Sequence, residues 1–384
     1  MSVAVVGVGI HPFGRHDGVT GLEMAAVAAR AALRDAGIGW RDVEFAAGGS
    51  DAAGNADTTV SVLGLTGVPF INVRNGCATG GSALATAHAM LVAGAAEIAL
   101  VVGFDKHPPG AFNPLPEDWG LGSWYGETGL MLTTQFFAMK IQRYMAEHGI
   151  SESTLAKVAA KAFANGARNP NAWRRRPLSE AEVLGSKMVN HPLRQYMFCS
   201  PGEGAVALVL ARAERVRTLS RAGAGGAVYL NSVAFRTRRF GSFEVFSPSI
   251  PIEGAPSPTT EAAAAAFEQA GIGPEDVDVA QLQDTESGAE IMHLAETGLC
   301  EHGEQESLIQ SGTTHCDGRL PVNTDGGCLA NGEPIGASGL RQVHEVVLQL
   351  RGEAGERQIA GPARVGFTQV YGAPGVSACT VLSR

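Results

Sequence analysis

Ala31-Ala-Leu-Arg-Asp-Ala-Gly-Ile-Gly-Trp-Arg-Asp-Val43 has a near copy much later in the chain, Ala265-Ala-Phe-Glu-Gln-Ala-Gly-Ile-Gly-Pro-Glu-Asp-Val277. Each copy predicts the last turns of a helix, a glycine that ends it and the approach to a strand, because glycine often terminates helices. Chance similarity between alanine-rich helices is the alternative explanation. A second match elsewhere in the chain favours an internal duplication.

The second match is looser and aligns Cys77-Ala-Thr-Gly-Gly-Ser-Ala-Leu84 with Glu333-Pro-Ile-Gly-Ala-Ser-Gly-Leu340. Each segment opens a predicted helix, and each helix leads to a predicted strand, Ile98–Gly103 in one case and Val365–Tyr371 in the other. The duplication therefore predicts that Cys77 and Glu333 occupy related positions, at two helix N-termini that face a shared centre.

Cys77 follows a strand-like stretch, residues 68–73, and precedes an alanine-rich helical stretch, residues 83–93. A thiol at a helix N-terminus feels the positive end of the helix dipole, which favours the thiolate. Glycines on both sides let a substrate approach the backbone closely. This presentation is typical of a covalent nucleophile, and the alternative is a small cysteine that only packs in the core.

The order of predicted elements indicates an α/β fold around a mostly parallel sheet, because strands alternate with helices. A Gly/Pro-rich stretch with following helices interrupts this alternation at about 105–195, where we expect a helical insert. The glycine-rich segment at 221–227 reads as a linker. The sequence therefore predicts an N-terminal half at 1–220, which contains the insert, and a C-terminal half at 228–384.

Composition excludes several classes of function. The chain has 384 residues and a formal net charge of -9, which argues against nucleic acid as a partner. Its six cysteines are scattered without metal-ligand spacing, so we expect a reduced, cytoplasmic protein with no metal site. The N-terminus lacks a basic leader, and Glu97 interrupts the longest apolar run, so no signal peptide or membrane span is predicted.

Taken together, these motifs resemble the thiolase superfamily, most closely its lipid-transfer or sterol-carrier type. The motifs are the Cys-Ala-Thr-Gly turn at Cys77, the helical insert, and Asn331-Gly-Glu-Pro-Ile-Gly-Ala-Ser-Gly339. The resemblance implies a duplicated, five-layered α-β-α-β-α fold and a homodimer. It also implies acyl-CoA thioesters as substrates, with no further cofactor.

Carried over to this chain, the family pattern makes Cys77 the nucleophile that takes the acyl group. Glu333 stands where the family has a histidine in Asn-Gly-His-Pro. Asp284 is the one matching residue of a third motif, which reads Gln283-Asp-Thr-Glu286 here. The C-terminal motif has Tyr371-Gly and lacks the family's second cysteine. Gly336 and Ser338, in the Glu333 motif, are the predicted contacts to the CoA thioester.

Three functions remain open on these residues. The first is an acyltransferase that makes or breaks a C–C bond through Cys77. The second is a retro-aldolase acting on a β-hydroxyacyl-CoA, such as a steroid side chain, with Glu333, Asp284 or Tyr371 as acid and base and a small OB-fold subunit as partner. The third is a non-catalytic scaffold that binds acyl-CoA. Structural roles compete at each position, namely helix-dipole complementation for Glu333, helix capping for Asp284 and packing for Tyr371.

Overall fold

A computed structural model describes residues 2–219, 226–240, 242, 254–373 and 375–384. Most of the predicted linker at 221–227 lies outside these residues. The strands are β1 (Val3–Gly14), β2 (Phe45–Gly49), β3 (Phe70–Asn72), β4 (Ile98–Lys106), β5 (Met188–Asn190), β6 (Leu193–Arg194), β7 (Glu203–Arg212), β8 (Val228–Thr237), β9 (Val279–Leu282), β10 (Val365–Gly372) and β11 (Val376–Ser383). The helices are α1 (Gly21–Ala36), α2 (Val60–Leu63), α3 (Thr79–Val92), α4 (Trp124–Glu127), α5 (Thr133–His148), α6 (Glu152–Ala167), α7 (Glu180–Leu184), α8 (Ala213–Val216), α9 (Pro258–Ala270), α10 (Ser287–Glu296), α11 (Gln305–Gln310), α12 (Gly327–Asn331) and α13 (Ile335–Arg351).

The repeated sequence forms the same local structure twice. Gly37 ends α1 with φ 72°, and Gly271 ends α9 with φ 68°, so both helices stop at a left-handed glycine. Each glycine is followed by a short 3₁₀ turn that an aspartate closes. Asp42 accepts the N–H of Gly39 at 2.8 Å, and Asp276 accepts the equivalent N–H of Gly273 at 3.0 Å. The two copies predicted from sequence therefore share the same backbone conformation and the same aspartate hydrogen bond.

Nine strands form one sheet in the order β3-β2-β4-β7-β1-β8-β11-β10-β9. The first five and the last four have equivalent orders, and a bridge between Ala280 and Val322 extends the second half as β3 extends the first. The halves join where Val3–Val5 of β1 pair with Val228–Leu230 of β8. The duplicated halves thus form a continuous sheet.

Helices α3 and α13 pack against each other and against strands of both halves of the sheet. Residues of β1 alternate between two cores, because successive strand side chains point to opposite faces. Val3 and Val5 pack with α3 and α13, whereas Ala4 and Val6 pack with α1. Helix α9 covers the second half in the way that α1 covers the first. This arrangement confirms the predicted layered α/β fold. The expectation of a mostly parallel sheet is wrong, because only three pairings among its described strands are parallel, namely β2–β3, β2–β4 and β9–β10. The five pairings at the centre of the sheet are antiparallel.

The chain between β4 and β7 contains α4 to α7 and the small β5–β6 hairpin. Its helices α5 and α6 pack against α10, which follows the third motif, so this segment covers one side of the site described below. In the described parts of the chain, no helix combines the length and the apolar composition that a bilayer crossing requires.

Candidate active site

Cys77 lies in a tight turn between β3 and α3. Gly76 takes φ 52°, and a Cβ there would lie 2.9 Å from the carbonyl oxygen of Ala373, so this position favours glycine. The Thr79 hydroxyl accepts the Asn75 N–H at 2.9 Å and donates to the Gly76 carbonyl at 2.7 Å. These bonds hold the turn that presents the half-buried Cys77 thiol just before the first turn of α3.

Glu333 lies in the connection between α12 and α13, and its side chain is fully buried. Its backbone N–H donates to the Ser200 carbonyl at 2.8 Å, and its own carbonyl accepts the Gly202 N–H at 3.2 Å. Its carboxylate accepts a hydrogen bond from Gln283 Nε2 at 2.8 Å. Both the backbone and the side chain of Glu333 are therefore fixed.

Two thiols meet this carboxylate. The Cys77 side chain is hydrogen bonded to Glu333, and the Cys199 Sγ lies 3.9 Å from Glu333 Oε2. Burial raises the pKa of the Cys77 thiol well above its usual value, and the negative charge of Glu333 raises it further. Both effects act in the same way on the pKa of Cys199, where Arg174 partly opposes them. The site therefore holds neutral thiols against a buried carboxylate.

A cavity of about 940 Å³ opens onto this group. Cys77 and Cys199 line it, with Glu333 behind them, and so does Tyr371 from the end of β10. The Tyr371 ring is nearly buried, with 6% exposed, and the Lys140 Nζ lies 4.8 Å from its centroid. The structure thus brings two of the predicted residues, Cys77 and Tyr371, to one cavity, and places Glu333 behind its wall, against the thiols.

Asp284 lies outside the cavity wall and holds the α12 loop. Its carboxylate accepts the backbone N–H groups of Cys328 at 2.6 Å and Leu329 at 3.3 Å. Burial raises its pKa well above the usual value, although the positive charge of Arg341 opposes this shift. These contacts place Asp284 as a support for the loop that leads to Glu333.

Gly336 and Ser338 lie in the first turn of α13 and are absent from the cavity wall. The Gly336 N–H donates to Asp105 Oδ2 at 2.7 Å, and a Cβ at Gly336 would lie 2.4 Å from the Gly49 carbonyl oxygen. The buried Ser338 hydroxyl donates to the Pro334 carbonyl at 3.1 Å. The polar groups of both residues therefore bond within the fold, and their placement is that of helix-packing residues.

Sequence reasoning did not select three polar residues around Glu333. Cys199 follows the buried Phe198 on a loop that contains Pro201 and Gly202 and leads into the buried strand β7. Turn-forming residues just before a buried strand were the one signal in the sequence that could have pointed to this loop. Gln283 and Glu286 flank Asp284, and each has a buried side-chain oxygen without a hydrogen-bond partner among the described residues. The pKa of Glu286 is raised to about 8, and burial of its side chain is the largest cause of this rise.

Comparison with known proteins identifies the family. Residues 3–174 match the thiolase N-terminal domain, and residues 253–384 match the thiolase C-terminal domain-like family. An acetyl-CoA acetyltransferase from Methanothermobacter thermautotrophicus is 32% identical over 401 residues, which cover 100% of this chain and 99% of that protein. The chain belongs to the thiolase superfamily. Sterol carrier protein 2 from Oryctolagus cuniculus is also 32% identical, over 99% of this chain and 71% of that protein.

The thiolase fold is equally clear in solved structures. An Ltp2-ChsH2(DUF35) aldolase superposes with a TM-score of 0.87, at 23% identity, over 100% of this chain and 97% of that chain. Thiolase-superfamily proteins with this architecture are mostly enzymes that act on acyl-CoA. In this chain, the Cys77 thiol has a carboxylate, that of Glu333, hydrogen bonded to it.

Proposed function

We propose that the protein makes or breaks a carbon–carbon bond in an acyl-CoA thioester by acyl transfer through Cys77, with Glu333 as the base. The observation that carries this proposal is the hydrogen bond between the Cys77 thiol, which lines a large cavity, and the fully buried carboxylate of Glu333 behind it. The acetyl-CoA acetyltransferase relative, which this chain matches over nearly its whole length, supports the same chemistry.

In the cleavage direction, the Cys77 sulfur attacks the β-keto carbon while Glu333 takes the thiol proton. The bond between the α- and β-carbons then breaks, which leaves an acyl group on sulfur and the enolate of a shorter acyl-CoA. That enolate takes the proton from Glu333 at its α-carbon and leaves as the shorter acyl-CoA. The thiol of free CoA then attacks the acyl group on Cys77, its proton passes through Glu333 to the leaving Cys77 sulfur, and the acyl group departs as a second acyl-CoA. Because the thiol pKa is raised, attack and proton transfer to Glu333 must occur together rather than through a preformed thiolate.

Cleavage of a β-hydroxyacyl-CoA is a second candidate, and the neutral state of the thiols favours it. Here Glu333 takes the proton of the β-hydroxyl group, the bond to the α-carbon breaks, and a carbonyl product forms. Tyr371 donates its phenolic proton to the enolate at the α-carbon. The placement of Tyr371 in the same cavity, with Lys140 over its ring, supports this route. Cys77 needs no acylation in it.

The proposal also includes two kinds of assembly, a homodimer and a complex with a second subunit. We expect a homodimer through β3, because this strand is at the sheet edge and Ile71 on it is 43% exposed. The aldolase neighbour is named as two components, Ltp2 and ChsH2(DUF35), which supports a partner subunit for this chain. The small OB-fold subunit that the family resemblance implies is the partner to look for.

Turnover of two substrates by three proteins tests the function. Wild type, Cys77→Ala and Glu333→Gln are each given a β-ketoacyl-CoA with free CoA, and separately a β-hydroxyacyl-CoA. Acyl transfer predicts that wild type cleaves the β-ketoacyl-CoA and that both variants lose at least about a hundredfold in rate, the scale expected for nucleophile and base. Full activity of Cys77→Ala on the β-hydroxyacyl-CoA, with loss in Glu333→Gln, would instead establish the second candidate. Tight binding without turnover of either compound would leave only a scaffold.

A further inference from the structure

Five aromatic rings form part of the cavity wall near the thiols. Four phenylalanines and one tyrosine contribute, and they come from separate parts of the chain, which are the loop after β4, helix α5, the loop before β7 and the end of β10. These residues are Phe112, Phe136, Phe137, Phe198 and Tyr371. These rings come from distant segments of the chain and converge near Cys77 and Cys199. They therefore form a surface that suits a ligand rather than a local cluster of neighbouring residues.

The rings are held in place by their own packing. Phe136 is fully buried against Tyr125 and Met131, and its ring lies 4.3 Å from that of Phe137. Phe112 meets His107 edge-on, with centroids 5.0 Å apart and planes at 89°. Because these contacts fix the rings, the cavity does not depend on a ligand to keep its shape.

The ring-lined wall also lies close to the reacting groups. Phe198 directly precedes Cys199, whose sulfur is 3.9 Å from Glu333 Oε2. Ala373 packs on the Phe136 cluster, and its carbonyl lies close to Gly76, the neighbour of Cys77. An acyl group on Cys77 would therefore extend among these rings.

Charge is scarce in this wall. Among the described residues that line the cavity, the charged side chains are Asp51, Arg74 and Asp118, and Asp51 pairs with Arg74 at 3.0 Å. The volume of about 940 Å³ is at the upper end for small-molecule sites and far exceeds the needs of an acetyl group. The cavity thus suits a neutral, bulky acyl group.

We propose that the acyl group of the substrate carries an aromatic ring, which binds among Phe112, Phe137, Phe198 and Tyr371. This inference rests on the proposed function, because it takes the ligand to be a CoA thioester. A flat ring meets these fixed rings by offset or edge contacts, which add to the burial of its area. A rigid ring also loses less conformational freedom on binding than a flexible chain of similar size.

Binding to the Cys77→Ala protein, measured by calorimetry, tests the inference without any need for turnover. The probes are acetyl-CoA, octanoyl-CoA, phenylacetyl-CoA and cyclohexylacetyl-CoA, the last two of which differ in aromaticity at nearly constant size. We expect phenylacetyl-CoA to bind at least tenfold more tightly than acetyl-CoA and several-fold more tightly than the other two. Equal binding of acetyl-CoA, or tighter binding of octanoyl-CoA or cyclohexylacetyl-CoA, would overturn the inference while the proposed function stands.

Two cavity variants and a matched surface variant complete the test. Phe137→Leu and, independently, Phe112→Leu should each reduce the preference for phenylacetyl-CoA over cyclohexylacetyl-CoA at least threefold. Phe240→Leu, at a position that is 95% exposed and absent from the cavity wall, should leave it unchanged. An unchanged preference in both cavity variants contradicts the aromatic site. Failure of all four thioesters to bind would contradict the proposed function itself.

Discussion

Burial and the charge of Glu333 together raise the pKa of the two thiols beside it, and burial is the larger cause. A carboxylate hydrogen bonded to Gln283 and to Cys77 favours a neutral thiol, because a thiolate there would face a second negative charge. The helix N-terminus next to Cys77, which by itself favours a thiolate, is outweighed by burial and by this charge. The reactivity of Cys77 is therefore set by its burial beside Glu333 rather than by its position at the N-terminus of α3.

Replacement of Glu333 should make Cys77 more reactive toward a simple alkylating reagent. Glu333→Gln removes the repelling charge, lowers the pKa of the Cys77 thiol and should speed its alkylation by iodoacetamide at pH 8 about tenfold, because a larger fraction of the thiol is then ionised. Peptide mass spectrometry reads the rate at Cys77 itself. The exposed Glu356→Gln serves as the matched control, and a slower rate in Glu333→Gln would refute the electrostatic account.

At the scale of elements, short connections rather than long helices position the active site. Gly327 at the start of α12 has φ 59°, and a Cβ there would lie 1.9 Å from Asp284 Oδ2. The carboxylate of Asp284 needs this approach to reach the N–H groups of Cys328 and Leu329. The position of the α12 loop, and of Glu333 after it, therefore depends on the absence of a side chain at Gly327.

A methyl group at position 327 should lower both the stability of the fold and the activity of the candidate site. Gly327→Ala is expected to cost about 2–4 kcal/mol, since it combines a strained φ with a clash against a buried carboxylate, and to lower turnover in step. Thermal unfolding and the two turnover assays measure it. Gly254→Ala is the control, because no atom of the described residues lies within 4 Å of a Cβ at that position. Equal melting temperatures of the two variants would contradict the packing described.

Glu286, the N-cap of α10, should make folding stability depend on pH. Burial raises its pKa to about 8, so between its ordinary pKa near 4.5 and pH 8 the folded protein holds a proton that the unfolded chain releases. Stability contributed by this proton is complete below pH 4.5 and is lost as pH rises toward 8. The gain in melting temperature from Glu286→Gln should therefore grow from pH 5 to pH 8 and then level off. A gain that shrinks over this range would contradict the buried, protonated state.

At the scale of the whole molecule, the edge strand β3 predicts a dimer. An exposed isoleucine on an edge strand invites pairing with a second copy across a two-fold axis. Wild type should elute as a dimer in size-exclusion chromatography with light scattering. Ile71→Lys should shift it to a monomer of unchanged melting cooperativity. A wild-type monomer would refute this interface.

The fold was largely predictable from the sequence because its signals are local and repeated. Glycine caps at Gly37 and Gly271 end equivalent helices, and the helix whose last turns the first copy predicts is observed as Gly21–Ala36. The strand predicted at Ile98–Gly103 extends to Lys106, since its burial continues beyond the apolar run. The register that joins β1 to β8 carries no local signal and is set only by how the two halves pack.

The site was predictable only in part. Duplication brought Cys77 and Glu333 together, because equivalent positions in related halves meet near the pseudo-symmetry axis. Cys199 has no counterpart in the repeat, so nothing in the sequence placed it beside Glu333. Asp284 has the residue type of a catalytic acid, yet the N–H groups that it binds belong to a loop more than forty residues later in the chain. Contacts of that range are decided by packing.

The most direct test of the central claim is the intact mass of the protein after brief incubation with a β-ketoacyl-CoA. We predict a covalent increase equal to the acyl group on wild type, located on Cys77 by peptide mapping. It should be absent from Cys77→Ala and greatly slowed in Glu333→Gln. Rapid turnover by wild type with no such adduct, and with Cys77→Ala equally active, would contradict acyl transfer through Cys77.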